Sequence, residues 1–160
     1  MKNIIIVTGG AGFIGSSLIK FLLKETNFKI ISLDNYSTGA IKNHSNHKNV
    51  KYIKDENINI SKILKKYTNK IKVIFHFGEF SRIYQSFQDN RICLDYNIYN
   101  SFEVINFAKD NKIKIIYSAT SSNLGNNGND ENSSPYSWTK SKNIELIKNY
   151  SKWFGLKYEL

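Results

Sequence analysis

Apolar runs four to seven residues long, rich in Ile and Val, recur at Ile4 to Val7, Lys29 to Leu33, Val50 to Ile53, Val73 to Phe77 and Ile113 to Tyr117. Runs without polar alternation suit strands buried on both faces. Between them the spacing changes to three and four, as in Ile14, Leu18, Phe21 and Leu22, or Ile98, Phe102, Ile105 and Phe107 to Ala108, the period of an amphipathic helix. Further helical spacing runs from Tyr136 to Phe154, and Leu156 to Leu160 is strand-like again. Strands alternating with helices imply right-handed crossovers, and so an α/β architecture with a parallel sheet and helices on both faces, in three layers.

Length and composition narrow this picture. A chain of 160 residues holds one sizeable core, so residues 1–160 are read as one domain. No apolar stretch reaches the length of a membrane span, and no membrane partner is expected. The strand-like run begins at Asn3 without a leader pattern, and Cys93 is the single cysteine, so a cytoplasmic location is expected. The formal charge of +10 raises nucleic acid as a partner, but the lysines are scattered and do not interleave with aromatic residues, so none is expected. The charge is read instead as an attraction for an anionic cofactor or substrate. His44, His47 and His76 lack the spacing of a metal set, and no metal is implied. The turn-rich stretch from Asn123 to Ser134 reads as a surface loop.

The strongest local signal is Thr8-Gly9-Gly10-Ala11-Gly12-Phe13-Ile14-Gly15, between the first strand and the first helix. Glycines there permit a tight turn, close approach of the main chain to a pyrophosphate, and close helix packing, while the helix N-terminus offers N–H groups and a positive dipole end. Asp34 ends the second strand nineteen residues after Gly15, where a carboxylate accepts hydrogen bonds from both adenosine ribose hydroxyls and repels a 2′-phosphate. The pair predicts a Rossmann fold with NAD, rather than NADP, as cofactor.

A second constellation lies in Ser134-Pro135-Tyr136-Ser137-Trp138-Thr139-Lys140, where the proline is placed to begin a helix. Tyr136 and Lys140 are four apart and share a helical face. A phenol is a poor base at neutral pH, but a fixed ammonium favours the phenolate. Tyr136 is thus a candidate base for a sugar hydroxyl proton during hydride transfer to nicotinamide, with Lys140 also placed to reach the nicotinamide ribose.

These residues together resemble the extended short-chain dehydrogenase/reductase family, in particular the NAD-dependent nucleotide-sugar epimerases and dehydratases of the UDP-glucose 4-epimerase kind. The resemblance covers essentially the whole chain. Asp34-Asn35-Tyr36-Ser37-Thr38-Gly39 is similar to the family's turn after the second strand, which implies cofactor contacts for Asn35, Ser37, Thr38 and Gly39. Asp55 stands where an acidic side chain approaches the adenine. Ile74-Phe75-His76-Phe77-Gly78 resembles the segment that lines the cofactor, implying contacts by Phe77 and Gly78, and Asn97 matches a helix asparagine that supports the site. Counting back from Gly125 assigns the hydroxyl that meets the reacting sugar to Thr120, with Ser121 second. The implied catalytic set is Thr120, Tyr136 and Lys140.

Departures from the pattern shape further expectations. Leu124 replaces a tyrosine, and the loop from Gly125 to Tyr136 is shorter than in the family. Glu79 stands where alanine is common and is read as a capped surface group rather than an extra acid or base. Ser81, Arg82 and Ser86 are read as solvated surface. The sequence stops at Leu160, with the C-terminal substrate domain absent, so the expectation is NAD binding with little or no turnover by this chain alone. The resemblance implies a nucleotide-sugar substrate and a homodimer formed through the helices from Leu94 to Asp110 and from Tyr136 to Phe154. A non-catalytic NAD(H)-binding module or sensor is the alternative.

Overall fold

The computed structural model describes residues 2–121 and 129–160. The apolar runs form strands β1 (Ile4–Thr8), β2 (Lys29–Asp34), β3 (Val50–Lys54), β4 (Ile71–His76), β5 (Lys114–Tyr117) and β6 (Tyr158–Glu159). Every pairing is parallel, and the strand order is β3-β2-β1-β4-β5-β6. This is the Rossmann order, in which the chain leaves β1 in one direction and returns to its other side at β4, opening a crevice beyond the strand ends.

Why the runs are continuous rather than alternating is visible in β1. Ile4 and Ile6 enter one core, with Ile31, Leu33, Ile74, Ile105 and Ile147, while Ile5 and Val7 enter the opposite one, with Ile19, Leu22 and Ile30. Helix α1 (Phe13–Glu25) covers the second core. Helices α2 (Ile60–Leu64), α5 (Ser101–Asp110) and α6 (Pro135–Phe154) cover the first. Short α3 (Gln85–Gln88) and α4 (Asn90–Leu94) lead to α5 through a π-helical turn, Asp95–Asn100.

Local chemistry sets the ends of α6. Ser134 caps it by accepting from the Ser137 N–H at 3.0 Å, Pro135 occupies the first turn, and Gly155 closes it at φ 71°.

Two expected helix faces are corrected. In α1 the buried positions are Gly15, Ser16, Ile19 and Leu22, whereas Ile14 and Phe21 face outward. The helix rotates its small residues toward the glycine turn, since only these let it approach so closely. The helix expected from Leu94 begins at Asn90 and contains the π turn, which brings Asn97, Asn100 and Ser101 inside and leaves Phe102 partly exposed.

Candidate functional site

Segments following β1 to β5 meet at a cavity of about 440 Å³, lined by Gly9, Gly12 to Gly15, Asp34, Asp55, Phe77 and Gly78 at one end and by Ser118, Tyr136 and Lys140 at the other. Gly9 has φ +70°, and a Cβ there would lie 2.7 Å from the Phe77 carbonyl carbon and the Gly78 nitrogen. At Gly15 a Cβ would lie 2.3 Å from the Gly9 carbonyl oxygen. Gly9 and Gly15 are therefore closed to any side chain, and backbone forms that part of the cavity floor. Helix α1 has no side-chain cap and no acidic residue in its first turn, so its leading amides and dipole end face the cavity.

Asp34 is built into this turn. Its Oδ2 accepts from the Ala11 N–H at 2.9 Å and its Oδ1 from the Tyr36 N–H at 2.8 Å, which fixes the buried carboxylate at the cavity edge with a lone pair still available on each oxygen. Tyr36 adopts φ 61°, the left-handed conformation, to make that bond. Asp55 accepts from the Asn59 side chain and the Glu56 N–H, and these bonds hold its carboxyl below the usual range against a slight opposing effect of burial.

At the other end Tyr136 is hydrogen-bonded to Thr120, and its backbone N–H donates to Ser86 Oγ at 3.3 Å. Burial pushes the Tyr136 phenol above its ordinary range; the bond to Thr120 opposes this, and the nearby Glu79 carboxylate adds to it. The Lys140 ammonium, expected beside the phenol, instead pairs with Glu79, both side chains being almost fully buried, and lies over the Tyr117 ring at 4.1 Å. Glu79 is thus no surface group. Its Oε1 accepts from Ser101 and Tyr117, each at 2.8 Å, and from Asn143 at 3.0 Å. Burial alone would raise its carboxyl, but Lys140, His76 and these bonds outweigh that and hold it low.

His76, expected to line the cofactor, sits wholly inside at the end of β4, between Thr8 Oγ1 at 2.6 Å and Ser101 Oγ at 2.9 Å. Thr8 Oγ1 already accepts from the Phe77 and Gly78 N–H groups at 3.2 and 3.0 Å, so its hydroxyl proton points to His76 Nδ1. The neutral ring then donates from Nε2 to Ser101. Burial lowers His76 to about 4, Glu79 opposing and Lys140 assisting.

Other expected residues fall as follows. Phe13, Ile14, Asn35, Ser37 and Thr38 line the cavity. Gly39 does not: it packs against Ala11 and Asp34 and borders a separate hollow formed with Tyr36, Ile41, His44 and Tyr52. Asn97, matched in the sequence to an asparagine that supports the site, does not line the cavity: it is buried, its amide clamps the Phe80 N–H and carbonyl, and it donates to Thr139 Oγ1 at 3.0 Å. Thr120 reaches the site through Tyr136, whereas Ser121 is exposed. Ser81 and Arg82 are exposed, as read, and lie on the cavity wall, whereas Ser86 is buried, contrary to the solvated reading. Leu124 and Gly125 lie outside the described residues. Sequence reasoning missed Asn43, Asn57, Asn100 and Ser118 as lining residues. Only Ser118, directly after β5, carried a positional signal.

Comparison with known proteins is consistent along the chain. The family model described as the NAD dependent epimerase/dehydratase family matches residues 5–159. An ADP-L-glycero-D-manno-heptose-6-epimerase from Brachyspira hyodysenteriae is 33% identical, over 78% of this chain and 39% of its own length. Among solved structures, a UDP-N-acetylglucosamine 4-epimerase from Methanobrevibacter ruminantium, in complex with UDP-N-acetylmuramic acid, superposes with TM-score 0.85 at 30% identity, covering 99% of this chain and 54% of that one. A Thermus thermophilus UDP-glucose 4-epimerase complexed with NAD shares the fold with TM-score 0.83 at 21% identity, over 97% of this chain and 53% of that one. The chain spans between about two fifths and one half of the length of the curated relatives it matches.

Proposed function

The chain belongs to the NAD dependent epimerase/dehydratase family, and from that premise we propose that it binds NAD in the cavity above β1 and, within a nucleotide-sugar epimerase or dehydratase, supplies the cofactor-binding and proton-handling half of the site. The observation that carries this reading is the joint lining of one cavity by the glycine turn, where neither Gly9 nor Gly15 admits a Cβ, by the anchored Asp34 carboxylate and by Tyr136. The group fits what is present: a Cβ at Gly9 or Gly15 would fill the cradle, the first amides of α1 suit a pyrophosphate, and Asp34 keeps lone pairs for ribose hydroxyls.

When bound, NAD supplies a hydride acceptor. Tyr136 Oη, supported by Thr120, takes or returns the proton of a sugar hydroxyl. Gly9, Gly12 and the α1 amides orient the phosphates, and Asp34 selects against a 2′-phosphate. Phe77 and Gly78, packed against Gly9, would line the cofactor beside the glycine turn. Two copies would pair through the outer faces of the helical segment from Asn90 and of α6, where Ile92, Tyr99, Phe102 and Trp138 are exposed. Pairing of Lys140 with Glu79 favours a second reading for the chain by itself, cofactor binding without turnover.

Calorimetric titration of the chain with NAD and NADP tests the proposal. We expect NAD to bind at least about tenfold more tightly, in keeping with repulsion of a 2′-phosphate by Asp34, and the preference to vanish in a folded Asp34→Ala variant. Equal affinity of the unaltered chain for both cofactors, or for neither, contradicts the reading.

A further inference from the structure

The buried pair formed by Glu79 and Lys140 joins parts of the chain that no local pattern links. Glu79 follows β4, Lys140 and Asn143 lie on α6, Ser101 opens α5 and Tyr117 ends β5. The Glu79 carboxylate accepts from all four of those residues, so it is rigidly placed before any ligand arrives. Both Glu79 and Lys140 also border the cavity that Tyr136 lines. A network this fully satisfied holds its members in one arrangement, and removing one member leaves the others buried without a partner.

We propose that Glu79 is the positioning residue of this site: it holds the Lys140 ammonium in a buried ion pair, which neutralises the charge that would otherwise favour a Tyr136 phenolate and leaves Tyr136 carrying its proton. The inference deepens, and rests on, the reading of Tyr136 as the proton-handling group. The groups that act on the phenol are Thr120 after β5, Glu79 after β4 and Cys93 on α4, and Tyr117 at the end of β5 interacts with it electrostatically; Lys140 lies four residues further along the same helix and borders the same cavity. Of these only Thr120 favours the phenolate, while Glu79, Cys93 and burial oppose it. His76 and Tyr117 stand behind Glu79 and do not line the cavity. The site is therefore set as a proton donor at rest, and becomes a base only when Lys140 is drawn from Glu79 toward the phenol or the ligand.

The test is a pH titration of the ligand-free chain labelled with 13Cζ-tyrosine, the Tyr136 resonance being assigned with Tyr136→Phe. In the unaltered chain the Tyr136 midpoint is expected above that of free tyrosine. In Glu79→Gln it should fall by at least about one pH unit, a tenfold gain in phenolate at a given pH. In Glu79→Gln/Lys140→Met, which removes both charges, it should return to within about half a unit of the starting value. An unmoved midpoint in Glu79→Gln overturns the proposal. Should that variant fail to fold, the unaltered chain decides: a shielded 15Nζ ammonium signal at neutral pH, absent in Lys140→Arg, supports the pair, and the lack of any such signal overturns it. NAD titration of the same samples separates the two ideas. Intact NAD binding with an unmoved Tyr136 defeats only the role of Glu79, whereas a moved Tyr136 in a chain that binds no NAD defeats only the cofactor reading.

Discussion

Acidification should destabilise this fold through His76 earlier than through its exposed carboxylates. The ring is wholly buried, its Nδ1 facing the Thr8 hydroxyl and its Nε2 donating to Ser101. A second ring proton would set two donors against each other at Thr8, whose oxygen already receives two backbone N–H groups. Burial therefore holds His76 at about 4 in the folded chain, against 6.5 when unfolded. Because the folded value is depressed, the unfolded chain binds the extra proton between pH 6.5 and about 4. The stability from the neutral ring is thus complete above 6.5 and lost as pH falls toward 4. At about 1.4 kcal/mol per pH unit the full effect is about 3 kcal/mol, of which about 2 kcal/mol disappears between pH 7.5 and 5, before most carboxylates take up protons. Loss on that scale is a large part of the stability of a small domain. Urea melts at half-unit steps across this window measure it, with His76→Gln as the non-titrating reference. A difference between the two proteins that stays flat with pH, or a His76 ring that titrates near 6.5 by NMR, refutes the reasoning.

Two substitutions check the packing around the turn. Ser32 Oγ is buried with no hydrogen-bond partner among the described residues and packs against Gly10, so Ser32→Ala should raise stability by about 1 kcal/mol, read as a higher urea midpoint; a lower midpoint would show that the hydroxyl is satisfied. Gly15→Ala should cost about 1 to 3 kcal/mol and weaken NAD binding at least about tenfold, because its Cβ would meet the rigid Gly9 carbonyl at 2.3 Å; unchanged affinity in the titration would mean the turn is looser than drawn.

How much of this was legible in the sequence depended on the range of the interaction. The strands were legible because Ile and Val runs must serve two cores at once, as Ile4 to Val7 do. The glycine turn and Asp34 were legible because strand, turn and next strand end lie within thirty residues and obey a geometric rule. What stayed hidden was long-range. Glu79 looks like a surface residue until β4, β5, α5 and α6 assemble around it, because its partners lie 22 to 64 residues away. The outward turn of Ile14 and Phe21 was hidden for a related reason, since hydropathy ranks them above Gly15 and Ser16, whereas the approach to Gly9 admits only the small pair.

The same distinction changes what the positive charge means. A net charge of +10 invites the idea that lysines draw in an anionic ligand. Yet the charged side chains lining the cavity are Asp34, Asp55, Glu79, Arg82 and Lys140, and Lys140 is neutralised by Glu79. Among the described residues Asp34 and Asp55 then line the cavity with Arg82 as the one unpaired cation on its wall, so side-chain charge there does not favour a phosphate-bearing ligand. Attraction must come from oriented amides at the start of α1, whose dipoles are fixed by the fold and act only within the first turn. Scattered surface lysines affect how often an anion arrives, while the glycine turn decides whether it stays.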